Sequence, residues 1–433
     1  MSAAARLAPL LTLAVVCLAP PAHALDPLAA RGRAVVEAAQ CNRCHAISGP
    51  AGLGIAPAER AQNCVTCHQW ILGTKGDPAA IARQRETFPD WDRYLDSIVH
   101  FRRLPDLGTL TRRVDPAFVR AFLDAPFDLR PHLDESMIPL RLSAADKDAV
   151  VAWLVALNGA AAVAAGAARV EGAVDAARVE AGRAQFVASG CATCHVVGDR
   201  PLVPGFDAGF FRAVGEAAAL APDLRHVRRR VPRAVLVRFI VDPAAVDPQT
   251  AMPKMGVAAA DAEKIADFLL HGPVESGPVA VAVAEIPVLA RKVGYDEVFD
   301  EVLGKICVHC HMAPESNDGD GGAGNTGGLG FGGVSLDLES WAGIERGLLR
   351  DGKRVSVLRA PAPGEPPLLL AALLRRQREA ARDHRPVFGG HDPGAKGPDP
   401  ARPGMPLGLP PLSVAQLSVV KTWLAQGAPG PAR

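Results

Sequence analysis

The sequence spells C-x-x-C-H four times, as Cys41–Cys44–His45, Cys64–Cys67–His68, Cys191–Cys194–His195 and Cys307–Cys310–His311. Two thiols three positions apart can bond the vinyl groups of a porphyrin. The imidazole that follows can take the iron on one face, and this spacing is that of a c-type haem attachment site. The motifs use eight of the nine cysteines and four of the twelve histidines, and four matches in 433 residues argue against accident. C-x-x-C pairs also build zinc sites and thioredoxin-like redox sites, and cysteines of an exported chain can pair as disulfides. Zinc wants two paired knuckles, but the pairs at 191 and 307 each stand more than 100 residues from the next. Neither zinc nor disulfides explain a His after every pair.

The elements around the motifs repeat. Met137–Ile–Pro139, Met252–Pro253 and Met405–Pro406 each precede a Ser or small-residue cap and an amphipathic helical pattern. Ser143 and Ser413 are caps in the first and third copies, and Val150, Trp153, Leu154 and Leu157 show the helical spacing. Gly32 lies nine residues before Cys41 and Gly182 nine before Cys191. A middle element repeats too: PDLGTLTRRVDPAFVRAFLDAP at 105–126 against PDLRHVRRRVPRAVLVRFIVDP at 222–243. In that alignment Pro105 meets Pro222, and Arg112–Arg113 meets Arg229–Arg230.

An N-terminal helix, C-x-x-C-H, P-D-L, a middle helix, Met-Pro and a C-terminal helix together resemble class I cytochrome c. The resemblance covers nearly all of 27–160 and 178–272. It implies an all-α fold of three cytochrome c-like helical modules in tandem, with terminal helices crossing in each. It implies His/Met axial ligation, His45 with Met137 and His195 with Met252, which raises the reduction potential. It suggests that the Pro105 and Pro222 carbonyls accept a hydrogen bond from the proximal His. Some of Arg112, Arg113, Arg229 and Arg230 could pair with haem propionates; an ordinary solvated face is the equal alternative.

The third module lacks P-D-L. A Gly/Asn/Asp-rich loop follows His311, then a long Pro-rich stretch before Met405. It resembles the planctomycete-type cytochrome c domain. The loop lacks the D-x-D-x-D-G pattern of a calcium site and reads as a surface loop. His384 and His391 compete with Met405 as partner to His311, and the Met-Pro-helix arrangement favours Met405.

The second motif is an addition. Between His195 and Pro222 stand 26 residues, and between His45 and Pro105 stand 59, so the first module carries an insertion of about 33 that contains Cys64, Cys67 and His68. No Met lies between Met1 and Met137. The sixth ligand of this haem is expected to be His100, at the end of the helical pattern DWDRYLDSIVHF; His132 and an open position are the alternatives.

Arg6, the apolar run Leu7–Leu18 and Ala22–His23–Ala24 read as a secretory signal over 1–24. The expected domains are then a dihaem module at 25–160, a class I module at 178–272 and a long-looped module at 287–429. The linker 159–177 reads as a soft helix or tether. Export with four covalent haems implies the periplasm, with no membrane span after signal removal. A net charge of +1 argues against nucleic acid as a partner. No Ser/His/Asp signature, phosphate loop or Rossmann glycine pattern stands out. The expected function is single-electron transfer with other redox proteins or a respiratory membrane complex, without catalysis. The alternative is a redox enzyme acting on a small inorganic substrate or peroxide at the Cys64/Cys67 haem.

Overall fold

The computed structural model describes residues 25–431 except 59–62, 89–90, 100–102, 134, 136, 139, 168–171, 173, 199–200, 275–284, 317–320, 329–330 and 384–401. The signal at 1–24, His100, His384 and His391 therefore lie outside the described residues. The chain is mostly helical, with 52% helix and 3% strand. Among the described residues the strand is confined to two small antiparallel pairs, Gly327–Gly328 with Phe331–Gly332 and Leu348–Arg350 with Lys353–Val355.

The helix Pro27–Ala38 begins where the Asp26 carboxylate accepts from the Leu28 and Ala29 N–H groups, with Pro27 at its first position. It crosses Ala144–Asn158, which Ser143 caps. The crossing is tight at Gly32: a Cβ built there would stand 1.9 Å from the Ala149 carbonyl oxygen. The pair Ala176–Ala188 and Ala259–His271 repeats the arrangement, with a Cβ on Gly182 1.9 Å from the Lys264 oxygen. Each glycine nine residues before a Cys is thus the point where two helix backbones touch. Phe186, Ile265, Phe268 and Leu269 fill the second core, as Val36, Val119, Trp153 and Leu154 fill the first.

The inserted segment builds its own small core. Ile71 of Cys64–Leu72 packs with Trp91 of Trp91–Ser97 and with Ile98, and Trp70 meets Trp91 edge-on at 4.8 Å. The linker after residue 158 is no free tether where it is described. The Val163 N–H donates to the Thr111 carbonyl (2.7 Å) and the Gly166 N–H to the Asp115 carboxylate (3.0 Å), laying it back on the first core.

The third core gathers Val298, Val302, Leu303 and Val308 against Leu417, Val420 and Trp423 of Val414–Ala425. Ser413 and Gln416 form a reciprocal capping box at that helix. A long helix, Leu368–Asp383, occupies the stretch before Met405 that reads as Pro-rich connection. Its buried Leu369, Leu370, Leu373, Arg376 and Ala380 follow helical spacing, the signal by which the sequence could have revealed it.

Candidate functional site

Three of the motifs share one local conformation. Residues 41–43, 191–193 and 307–309 each form a single 3-10 turn, and the His45, His195 and His311 N–H groups each donate to the carbonyl of their first Cys at 2.9–3.0 Å. The chain enters the first two turns through left-handed residues, Gln40 and Gly190. The motif at Cys64 differs. It opens the α-helix Cys64–Leu72, whose N-terminus is capped by the Asn63 side chain at the Thr66 N–H (2.8 Å).

Each proximal histidine of the turn motifs is held through Nδ1. His45 Nδ1 donates to the Pro105 carbonyl (3.0 Å) and His195 Nδ1 to the Pro222 carbonyl (2.9 Å). A carbonyl oxygen only accepts, so the proton sits on Nδ1 and the Nε2 lone pair is left for a metal. The neighbouring Asp of P-D-L pins the same corner. Asp106 accepts from the Gly108 N–H (2.8 Å) and from the Ser48 N–H and hydroxyl, and Asp223 accepts from the Arg225 and Gly198 N–H groups. Backbone bonds Leu107 N–H to Ala46 O and Leu224 N–H to Val196 O, both 2.9 Å, complete the equivalence.

The third module reaches the same end by another residue, which sequence reasoning missed. His311 Nδ1 faces Asn325 Oδ1 at 3.4 Å. The Asn325 amide donates to the Met312 and Gly321 carbonyls (2.8 Å each), and its oxygen accepts from the Leu336 N–H (2.7 Å), so the oxygen is fixed toward His311. Asn325 lies in the Gly-rich loop; its signal was an isolated Asn among glycines, 14 residues after the histidine. Burial lowers the pKa of His45, His195 and His311, keeping each ring neutral and fit to ligate. Burial likewise pushes the Cys41 and Cys191 thiols up to about 11 and Cys307 up to about 12.

The site residues meet in one cavity of 2340 Å³. Its lining includes Cys41, Cys44, Cys64, Cys67, Cys194, Cys307 and Cys310, the four motif histidines His45, His68, His195 and His311, and Met137, Met252 and Met405. Cys191 packs at the edge of the second core. A pocket for one drug-sized ligand holds about 300–1,000 Å³, so this space suits several bodies side by side. His132 is not among the lining residues and stacks on Phe211 at 4.3 Å instead. His309, between the third pair of cysteines, does line the cavity and faces Tyr94 of the insert at 5.0 Å.

The motifs touch one another. Asn63 Nδ2 donates to the Asn42 carbonyl at 3.2 Å, and the Cys44 and Cys64 thiols lie near enough to act on each other. The neighbouring Cys44 thiol lowers the Cys64 pKa, while Cys64 and burial raise that of Cys44. Arg43, only 5% exposed, lies near enough to act electrostatically on Cys44, Cys64 and Cys310.

Of the repeated arginines, Arg112 is engaged by the Asn158 side chain at 2.7 Å and Arg229 is exposed. Arg113 and Arg230 line the cavity. Among the described residues no group of three or more His, Cys, Asp or Glu gathers closely enough to hold a metal ion by itself. The zinc alternative therefore finds no cage there. The eight motif cysteines are all free thiols, not disulfides.

No family model, curated protein or solved structure matches the chain.

Proposed function

We propose that the chain is a periplasmic tetrahaem c-type cytochrome that carries single electrons between redox partners. The observation that carries this reading is the cavity itself, where residues of all four C-x-x-C-H motifs and the three repeated methionines face one shared space. The residues fit the group. Paired thiols and a neutral imidazole stand at each of the three turn motifs, and a thioether is available for each. The buried Arg113 Nε, which has no hydrogen-bond partner, is suited to an anionic edge.

Bound haem supplies an iron that changes oxidation state by one electron. The chain's residues do the rest. The cysteines hold the group covalently, so it stays when its charge changes. Pro105, Pro222 and Asn325 fix the imidazole planes and protect the Nδ1 protons, which keeps the ligands in place on reduction. Met137, Met252 and Met405 would supply the second ligand at the three turn motifs, and a thioether ligand favours the reduced state. Apolar side chains form much of the cavity wall, and the closeness of the first two motifs, with Asn63 bonded to the Asn42 carbonyl, would favour direct exchange between the haems they hold. Among the described residues no helix is long and apolar enough to cross a membrane. Redox proteins or a respiratory membrane complex are the proposed partners.

A redox enzyme is the second reading, and it rests on the Cys64 motif, whose helical conformation differs from the other three and which has no repeated methionine. Optical and EPR spectra separate the two. Electron transfer predicts low-spin haems, three with a Met–iron charge-transfer band in the ferric form. A high-spin signal that shifts with cyanide or carbon monoxide would assign chemistry to the Cys64 haem.

A further inference from the structure

The first and second modules dock through copies of the same repeated element. The Asp115 N–H donates to the Arg230 carbonyl and the Asp223 N–H to the Leu129 carbonyl, both at 2.8 Å. Phe127 packs on the His226 ring at 4.6 Å. This docking brings Arg113 and its repeat counterpart Arg230 near each other, with Arg130 beside them, and all three line the cavity that His45, Met137, His195 and Met252 also line.

Their charge is incompletely answered. Arg113 pairs with Asp247 at 2.9 Å, both side chains largely buried, yet its Nε is buried with no hydrogen-bond partner. Arg130 donates to the Arg103 carbonyl at 2.8 Å, and Glu135 and Asp247 are the anions that act on it. Among the described residues no carboxylate pairs with the Arg230 guanidinium. Partial burial first, then the neighbouring Arg113 and Arg130, push Arg230 down to about 9. Such a cluster calls for anions from the cavity side, and planar guanidinium groups bind carboxylates bidentately.

Resting on the haem reading above, we infer that Arg113, Arg130 and Arg230 form one shared cradle for carboxylates of two haems, those at Cys41/Cys44 and Cys191/Cys194. The cradle links the two redox centres: a change in charge at either haem is felt through the same three cations.

The test is a spectropotentiometric titration of the intact holoprotein and its Arg230→Gln variant. Met137→His and Met252→His assign the two potentials, since each drops one haem out of the high-potential set. Removing the cation should lower both the Cys41 and the Cys191 potentials. The expected size is about tenfold in the oxidised-to-reduced ratio at fixed potential, ~59 mV for one electron. Arg113→Gln should act on the same pair, which keeps the test open if Arg230→Gln fails to fold. A shift in one haem alone, or in neither, overturns the shared cradle. Potentials of the unsubstituted protein that move with added phosphate or succinate would show a free anion in the cradle, and also overturn it. Intact mass is read on every sample. Haem missing from the unsubstituted protein defeats the haem reading itself, whereas four haems with unmoved potentials defeat only this inference.

Discussion

At the scale of single residues, the histidine partners decide how the iron would be held. Two modules use a proline carbonyl, and the third uses the amide oxygen of Asn325, a side chain whose oxygen accepts from the Leu336 N–H and whose nitrogen donates to the Met312 and Gly321 carbonyls. A hydrogen bond at Nδ1 raises the basicity of Nε2, so its loss favours the reduced iron. Asn325→Ala should raise the potential of the Cys307 haem alone. It also strands backbone groups that the side chain satisfies, at about 1–3 kcal/mol for each one left buried and unpaired. A potential titration with a thermal melt reads both effects; an unchanged Cys307 potential would mean that Asn325 only folds the loop. For the second motif the proposed sixth ligand is His100. His100→Ala should alter one haem spectrum, and four unchanged spectra would remove it from the ligand set.

At the scale of elements, the helix crossings frame the first two modules. Backbone meets backbone at Gly32 and Gly182, so a methyl at either glycine must part the helices. Overpacking of this kind costs about 1–3 kcal/mol. Gly182→Ala should lower the thermal midpoint accordingly, and an unchanged midpoint would mean that the crossing is looser than described. These elements were legible because they repeat: the glycine nine residues before Cys, the P-D-L corner and the capped helix after each Met-Pro stand in the sequence twice or more. Asn325 was not, since it does its work in a segment without a second copy; the helix Leu368–Asp383 carries helical spacing in its buried residues, but no repeat draws it out of the Pro-rich stretch. The Gly-rich composition around Asn325 reads as loop, and nothing local shows that the loop folds back onto His311. The linker beyond Asn158 also misled. Its Ala and Gly content suggests a tether, but its contacts to Thr111 and Asp115 are long-range in sequence and leave no periodic trace.

At the scale of the whole molecule, the motifs converge on one space. The second module docks on the first through the arginine interface, the insert touches the first motif through Asn63 and the Asn42 carbonyl, and its helix Trp91–Ser97 packs on Gly304–Ile306 of the third module. With haem at each motif, this order of contact would give a path from the Cys191 motif through those at Cys41 and Cys64 to that at Cys307. Arg43 lies near thiols of three of the motifs, Cys44, Cys64 and Cys310. Arg43→Gln should lower the Cys41, Cys64 and Cys307 potentials and leave the Cys191 potential in place, as a titration of the four haems would read. Movement of the Cys191 potential instead would contradict the order.

The claim beneath all of this is that the four C-x-x-C-H motifs carry covalent haem. The direct measurement is the intact mass of the chain, expressed with export and cytochrome maturation, and recorded after denaturation and acid treatment that strips non-covalent cofactors. The account predicts the polypeptide plus four haems, lowered by one in a Cys64→Ala, Cys67→Ala double variant. A mass equal to the bare polypeptide would contradict it.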